Sequence, residues 1–122
     1  MTENEIAALI VDAALKIHKT LGPGLLESVY QATLVFELQK RDLVVVQQLA
    51  LPVHYEGLRL DIGYRVDLLV GNKVVVEIKS VEAIIPVHRK QLQTYLRLMG
   101  KRLGLLIKFQ CGVDQAWNTE GC

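Results

Sequence analysis

Three polar residues in the middle of the chain have the types and spacing of a metal-dependent hydrolytic site. Asp67 lies in one extended stretch, and Glu77 and Lys79 lie two residues apart in the next stretch. Because residues two apart in a β-strand project from the same face, Glu77 and Lys79 are predicted to point the same way. Carboxylate oxygens suit Mg²⁺, which keeps several of its waters and therefore needs only one or two carboxylates. A lysine beside them can orient a metal-bound water or stabilise charge on a phosphate.

The turn between the two stretches decides whether the carboxylates of Asp67 and Glu77 can meet. A two-residue hairpin turn at Gly71-Asn72 would place them on opposite faces of the sheet. A three-residue loop, Gly71-Asn72-Lys73, brings them to one face, and so does a bulge between Gly63 and Asp67. We predict one of these two arrangements, between which the sequence does not choose. The alternation of charged residues with valines also fits an ordinary solvated face of an edge strand.

Hydrophobic periodicity predicts the elements that must position these residues. Apolar residues at three- and four-residue steps predict a first helix that begins at a Thr2–Glu5 capping box and ends at Gly22, and a second helix over about 25–41. Strands are predicted over about 43–55, 58–70, 73–80 and 103–109, with a third helix over 86–99. The predicted order is α-α-β-β-β-α-β, an α/β (α+β) fold in which helices flank a mixed central sheet. Residues 110–122 show no period and are predicted to be irregular.

The composition is that of one globular domain. A chain of 122 residues can bury one core, whereas two halves could not, and a hydrophobic content of 51% excludes a disordered chain. No apolar run approaches the length of a membrane span, and the acidic, amphipathic N-terminus is unlike a signal peptide, so the expected location is the cytoplasm. The formal charge of +1 excludes a generic polybasic nucleic-acid binder, but not a local basic cleft. Cys111 and Cys122 lack the spacing of a zinc site and are predicted to be free thiols.

Four sequence blocks follow one another between residues 22 and 109. They are GLLESVY at 24–30, YRVDLLV at 64–70, VEIKSVE at 76–82, and PVH at 86–88 followed by QLQTYL at 91–96. In these blocks the chain resembles the bacterial GxxExxY family, a branch of the PD-(D/E)XK nuclease superfamily. The resemblance implies a restriction-endonuclease-like core and a single PD-(D/E)XK-like domain over 1–122. Beyond Phe109 the chain departs from the family pattern, in which another apolar, strand-like stretch follows.

The resemblance also implies the residues of a phosphodiesterase site. Asp67 and Glu77 would hold Mg²⁺ or Mn²⁺, and Lys79 would act on the attacking water. Glu27 is similar to the additional acidic residue that many superfamily members place beside the metal, and it counts here as a third candidate metal ligand. Gln91 matches a position that helps to line the site.

Three further residues are secondary candidates because each lies one helical turn from an implied site residue. Tyr30 lies one turn from Glu27, and His88 and Tyr95 lie one turn from Gln91. Each of the three could instead have a purely structural role. The two tyrosines could be core aromatic residues with a hydrogen-bonded hydroxyl, and the histidine could be a surface residue near the start of a helix. Glu27 beside an apolar stripe is harder to explain structurally, because a half-buried carboxylate is costly unless it is paired or metal-bound.

Two functions of different classes follow from these observations. The first is a metal-dependent nuclease that hydrolyses phosphodiester bonds of nucleic acid, with DNA favoured over RNA. The second is a non-catalytic nuclease-fold interaction module. In both cases a small domain with this much apolar surface predicts a homodimer. The presence of Glu27, Asp67, Glu77 and Lys79 together argues against a decayed site.

Overall fold

The helices and strands follow one another in the order that the sequence predicts. The computed structural model describes residues 1–22, 24–79 and 84–109. Its elements are α1 (Glu3–Leu21), α2 (Glu27–Lys40), β1 (Val45–Tyr55), β2 (Leu58–Val70), β3 (Val74–Lys79), α3 (Pro86–Met99) and β4 (Leu103–Lys108). The predicted α+β class and element order are therefore confirmed. The predicted irregular tail over 110–122, with both cysteines, lies outside the described residues.

Helix α1 begins and ends where the sequence predicts. Thr2 Oγ1 accepts a hydrogen bond from the Glu5 N–H at 3.2 Å, and Glu5 Oε1 accepts one from the Thr2 N–H at 3.1 Å. This reciprocal pair is the predicted capping box, which satisfies two donors that the first turn of a helix leaves without partners. At the other end, Gly22 has a φ of +73° and donates its N–H to the His18 carbonyl at 2.8 Å. Among the described helices, none combines the length and the apolar character that a membrane span requires.

An ion-pair network holds α2 against α1 and so steadies the helix that carries Glu27. Glu37 of α2 is only 6% exposed. Its carboxylate lies 2.9 Å from Lys16 Nζ of α1 and 2.8 Å from Arg41 Nη1, and Arg41 Nη2 lies 2.8 Å from Asp12 Oδ2 of α1. The hydrogen bonds from Lys16 and Arg41 lower the pKa of Glu37 to about 2, so the carboxylate stays charged near neutral pH.

The described strands form one mixed sheet in the order β1-β2-β3-β4. β2 is antiparallel to both of its neighbours, whereas β3 and β4 are parallel and are connected through α3. β3 is buried from Val74 to Ile78 because helices cover both of its faces. On one face α1 and α2 cover Leu68, Val70, Val74, Val76 and Ile78. On the other face Leu92 and Tyr95 of α3 pack with Leu69 and Val75.

Gly104 of β4 lies so close to Leu92 of α3 that even a methyl group at position 104 would displace the Leu92 side chain. A Cβ atom at position 104 would lie 2.7 Å from Leu92 Cδ1 and 3.0 Å from Leu92 Cγ. We expect Gly104→Ala to lower the free energy of unfolding by about 1–3 kcal/mol, the usual cost of overpacking a core. Urea unfolding measures this loss. In a Leu92→Ala background the same substitution should cost little, since the obstructing side chain is gone; an equal cost in both backgrounds would contradict the packing argument.

Candidate active site

A three-residue loop joins β2 to β3, which is one of the two predicted arrangements. Val70 pairs with Val74, so that residues 71–73 lie between the paired strands. The first two loop residues, a glycine and an asparagine, have left-handed φ values of +60° and +58°. These are the residue types that adopt this conformation most readily. Continuation of the register places Asp67 opposite Glu77.

The pairing of β1 with β2 is irregular near Gly63, but this irregularity does not set the relation between the two carboxylates. The pairing of β1 with β2 shifts register between Leu51 and Val53, opposite the segment that contains Gly63, whose φ is +103°. This irregularity precedes the part of β2 that pairs with β3. The loop between β2 and β3 is therefore what brings Asp67 and Glu77 together.

Asp67 and Glu77 are joined by reciprocal hydrogen bonds to the backbone of the opposite strand. The Asp67 N–H donates to Glu77 Oε1 at 3.0 Å, and the Ile78 N–H donates to Asp67 Oδ2 at 2.8 Å. Each carboxylate thus bonds to an N–H of the neighbouring strand at the point where regular pairing between β2 and β3 ends. One oxygen of each carboxylate is held in this way, and the other, Asp67 Oδ1 or Glu77 Oε2, is left for side chains or ligands. The two carboxylates therefore converge, as predicted.

The Glu77 carboxyl is buried beside a second negative charge. The residue is 4% exposed. Burial is the main cause that raises the pKa of Glu77 to about 7, and the charge of Asp67 adds to the shift. Lys79 Nζ lies 3.8 Å from Glu77 Oε2 and opposes the shift without cancelling it. Two adjoining carboxylates with this excess of negative charge are oxygen donors of the kind that could hold a divalent cation.

A comparison with protein families agrees with this geometry. A model described as the PD-(D/E)XK nuclease superfamily matches residues 4–119, which include every predicted site residue. The chain belongs to the PD-(D/E)XK nuclease superfamily. No curated protein and no solved structure matches it. Membership of the superfamily indicates a nuclease and implies a nucleic-acid substrate.

The donor set fits the divalent metal that PD-(D/E)XK nucleases generally use. Asp67 Oδ1 and Glu77 Oε2 are hard oxygen donors, and the backbone N–H groups already hold the other two oxygens in place. Within residues 1–22, 24–79 and 84–109, no three His, Cys, Asp or Glu side chains lie close enough together to hold a metal. A pair of carboxylates is nevertheless sufficient for an ion that keeps several of its waters.

Glu27 lies near this pair but does not complete a three-residue cluster with it. It is the first residue of α2, and the residue is exposed, so the half-buried position considered for it in the sequence is not found. Desolvation of its carboxyl raises the pKa of Glu27, the charge of Asp67 raises it further, and Lys79 lowers it. Glu27 therefore lies within electrostatic range of Asp67 and Lys79. Its role as a metal ligand remains a prediction.

Helix α3 brings Tyr95 towards the carboxylate pair and places Gln91 one turn before it. Tyr95 is 3% exposed, and its ring lies edge-on to that of Tyr64 with the centroids 5.7 Å apart. Burial raises the pKa of Tyr95 to about 12, and the charges of Glu77 and Asp67 add to the shift. Gln91 is half-buried on the same helix, and its part in lining the site remains a prediction.

The two other secondary candidates make contacts that serve the fold. His88 Nδ1 accepts a hydrogen bond from the Ile85 N–H at 3.2 Å, which satisfies a donor at the start of α3. Tyr30 is 1% exposed and stacks on Phe109, with centroids 4.8 Å apart and planes 8° apart. Burial raises the pKa of Tyr30, and its hydroxyl has no hydrogen-bond partner among the described residues. Tyr30 therefore fits the core-aromatic alternative, without the hydrogen bond expected for it.

Sequence reasoning missed a cluster of three glutamines beside the carboxylates. A groove of about 400 Å³ runs between α2 and β1 and is lined by Glu27, Ser28, Gln31, Ala32, Gln47 and Gln48. Gln48 Nε2 reaches to 3.4 Å from Asp67 Oδ1. The sequence does contain a signal for this cluster, because the adjacent Gln47 and Gln48 interrupt an otherwise apolar, valine-rich stretch.

Proposed function

We propose that this chain is a Mg²⁺- or Mn²⁺-dependent nuclease of the GxxExxY branch, which hydrolyses phosphodiester bonds with DNA as the preferred substrate. The observation that supports this most directly is the paired arrangement of Asp67 and Glu77. Each carboxylate has one oxygen held by a backbone N–H and a second oxygen that no backbone group holds. Such fixed donors are what a metal-dependent phosphodiesterase site requires.

Each residue of the site has its own role in the proposed reaction. A divalent cation held by Asp67 and Glu77 would lower the pKa of a water and offset the negative charge that develops on the phosphate. The Lys79 ammonium, partly buried beside Glu77, would orient the attacking water or donate to a phosphate oxygen. Glu27 and Gln91 would flank the pair from α2 and α3 and bind waters or substrate oxygens.

A cleavage assay on the purified protein tests the proposal. Single- and double-stranded DNA and RNA are incubated with Mg²⁺, with Mn²⁺ and with a chelator. We expect metal-dependent cleavage by the wild type and a loss of at least about a hundredfold in Asp67→Asn, because replacement of groups that only support a metal ligand already costs 10- to 100-fold. Asp42→Asn is the matched control, since it removes the same charge at an exposed position whose left-handed φ of +62° asparagine tolerates.

Two results would contradict the nuclease proposal. Cleavage that survives Asp67→Asn would point to a contaminating enzyme. Cleavage of none of the four substrates, together with no metal binding by calorimetry, would favour the alternative function, a non-catalytic nuclease-fold interaction module.

We propose in addition that the protein forms a homodimer. Phe36 of α2 is 59% exposed, Val44, just before edge strand β1, is 74% exposed, and Val46 of β1 is 41% exposed. A second copy would cover apolar side chains of this kind. It would also pool basic residues, which a chain with a formal charge of +1 needs in order to attract nucleic acid. Sedimentation at the protein concentration of the assay measures the mass, and the mass of one chain would contradict the dimer.

A further inference from the structure

Gln48 has a backbone conformation that is unusual for its residue type. Its φ is +49°, in the left-handed region that residues other than glycine seldom adopt. The pairing of β1 with β2 includes Gln47 and Leu49 but omits Gln48. A strained residue of this kind persists only where the surrounding structure holds it, and such residues cluster at functional sites.

The left-handed residue breaks the alternation of side chains along β1. Consecutive residues of a regular strand point to opposite faces, and they cannot both contact one side chain. Here Gln31 Nε2 lies 3.5 Å from Gln47 Oε1, and Gln48 Nε2 lies 2.8 Å from Gln31 Oε1. Both neighbours therefore contact Gln31 of α2, and the amide of Gln48 is held at the junction of α2 with the sheet.

The same amide also contacts the carboxylate pair. Gln48 Nε2 donates to Asp67 Oδ1 at 3.4 Å, while the Ile78 N–H holds Asp67 Oδ2 at 2.8 Å. A glutamine amide has two N–H groups, so it can donate to Gln31 and to Asp67 together. With a donor at each of its oxygens, the Asp67 carboxylate is restrained from rotating.

We propose that Gln48 is a positioning residue which, anchored by Gln31, holds the Asp67 carboxylate in the orientation that binds the divalent cation. The proposal rests on the proposed metal-dependent function and adds a residue to it. It accounts for the strained conformation, because in a regular strand Gln48 could not reach Gln31 and Asp67 at once.

The test is Mg²⁺ binding by calorimetry to the full chain and to Gln48→Gly. Glycine suits a φ of +49°, so the variant should be at least as stable as the wild type while it lacks the amide. We expect Mg²⁺ affinity to fall about tenfold, the loss typical of groups that orient metal ligands. Because Mg²⁺ binds more weakly, the Mg²⁺ concentration for half-maximal cleavage should rise. The KM for nucleic acid at saturating Mg²⁺ should not change. Asp42→Gly is the matched control, because Asp42 is exposed and has a φ of +62°. It should change neither the Mg²⁺ affinity nor the Mg²⁺ concentration for half-maximal cleavage.

Gln31→Ala tests the anchoring step separately. It should weaken Mg²⁺ binding by less than Gln48→Gly, and the double variant should bind no more weakly than Gln48→Gly alone, because the two residues act through one amide. Additive losses would overturn the role of Gln31.

The outcomes separate this inference from the nuclease proposal. A Gln48→Gly variant that binds Mg²⁺ as tightly as the wild type would overturn the inference and leave the nuclease proposal standing. A wild-type protein that binds neither Mg²⁺ nor Mn²⁺ and cleaves no nucleic acid would overturn both.

Discussion

Replacement of Glu77 by glutamine is expected to make the metal-free protein more stable at pH 8 while it removes metal binding and activity. Burial and the charge of Asp67 raise the pKa of Glu77 from 4.5 to about 7. Above pH 7 the folded protein therefore carries a buried charge that costs it about 3 kcal/mol relative to the unfolded chain. Glutamine keeps an oxygen that can accept the Asp67 N–H and has no charge to bury.

The pH dependence gives this prediction a definite sign. Between pH 4.5 and about 7 the folded state holds a proton on Glu77 that the unfolded state has released, so the stability of the wild type falls as pH rises through this window. The stability gain of Glu77→Gln should thus be near zero at pH 4 and reach about 3 kcal/mol at pH 8. Urea unfolding without metal at several pH values measures it.

Unfolding in the presence of Mg²⁺ and a control variant complete the experiment. Mg²⁺ should stabilise the wild type at pH 8 and not Glu77→Gln, because only the charged carboxylate binds the ion. Glu56→Gln, at an exposed position in the turn between β1 and β2, should change the stability little at any pH. A Glu77→Gln protein that is less stable than the wild type at pH 8 would contradict the argument from burial.

Replacement of Lys79 by methionine is expected to abolish most of the cleavage while leaving metal binding intact. The ammonium lies 3.8 Å from Glu77 Oε2, and in the proposed reaction it acts on the water or the phosphate. A group that positions or transfers a proton in this way contributes about 10²–10⁴-fold to a rate, and we expect a loss of that size in kcat. Mg²⁺ affinity should be unchanged or higher, because a positive charge next to the carboxylates has been removed.

Two further variants distinguish a catalytic from a structural role of Lys79. Lys73→Met removes a lysine from the loop of the same hairpin, where its Nζ donates to the Met1 carbonyl, and it should cleave at the wild-type rate. Lys79→Arg keeps the charge but changes the shape of the donor, so it should retain more activity than Lys79→Met. Wild-type kcat in Lys79→Met would exclude the proposed role of the ammonium.

Local sequence signals were sufficient for most element boundaries. β2 and α3 have the predicted bounds, because the Glu56-Gly57 turn precedes β2, Pro86 begins α3 and Gly100 ends it with a φ of +66°. The second helix begins two residues later than predicted, since Leu26 is extended, with φ −63° and ψ 145°, and serves as the N-cap. That difference could not be seen in the sequence, because leucine carries no capping signal.

Some features of the candidate site were also predictable from the sequence, and others only the structure decided. The types and spacing of Asp67, Glu77 and Lys79 sufficed to predict a carboxylate pair with a lysine, and only the register could decide whether the pair forms. From the sequence, the two carboxylates could lie on the same face or on opposite faces of the sheet. The structure has a three-residue loop, and the Asp67 N–H donates a hydrogen bond to Glu77. Register depends on how the whole strand packs, because a shift of one residue would turn every buried valine of β3 to the other face.

The amino-acid sequence by itself determined the class of the fold, the order of its elements and the residue types of the site, since these follow from periodicity, turn residues and spacing. Tertiary structure alone decided which residues surround the carboxylates and which distant aromatic residues pack together. Gln48 contacts Gln31 of α2 and Asp67 of β2 together because its backbone is left-handed, and Tyr30 stacks on Phe109, 79 residues further along the chain. Contacts between distant segments depend on packing and burial across the whole domain, which no local pattern encodes.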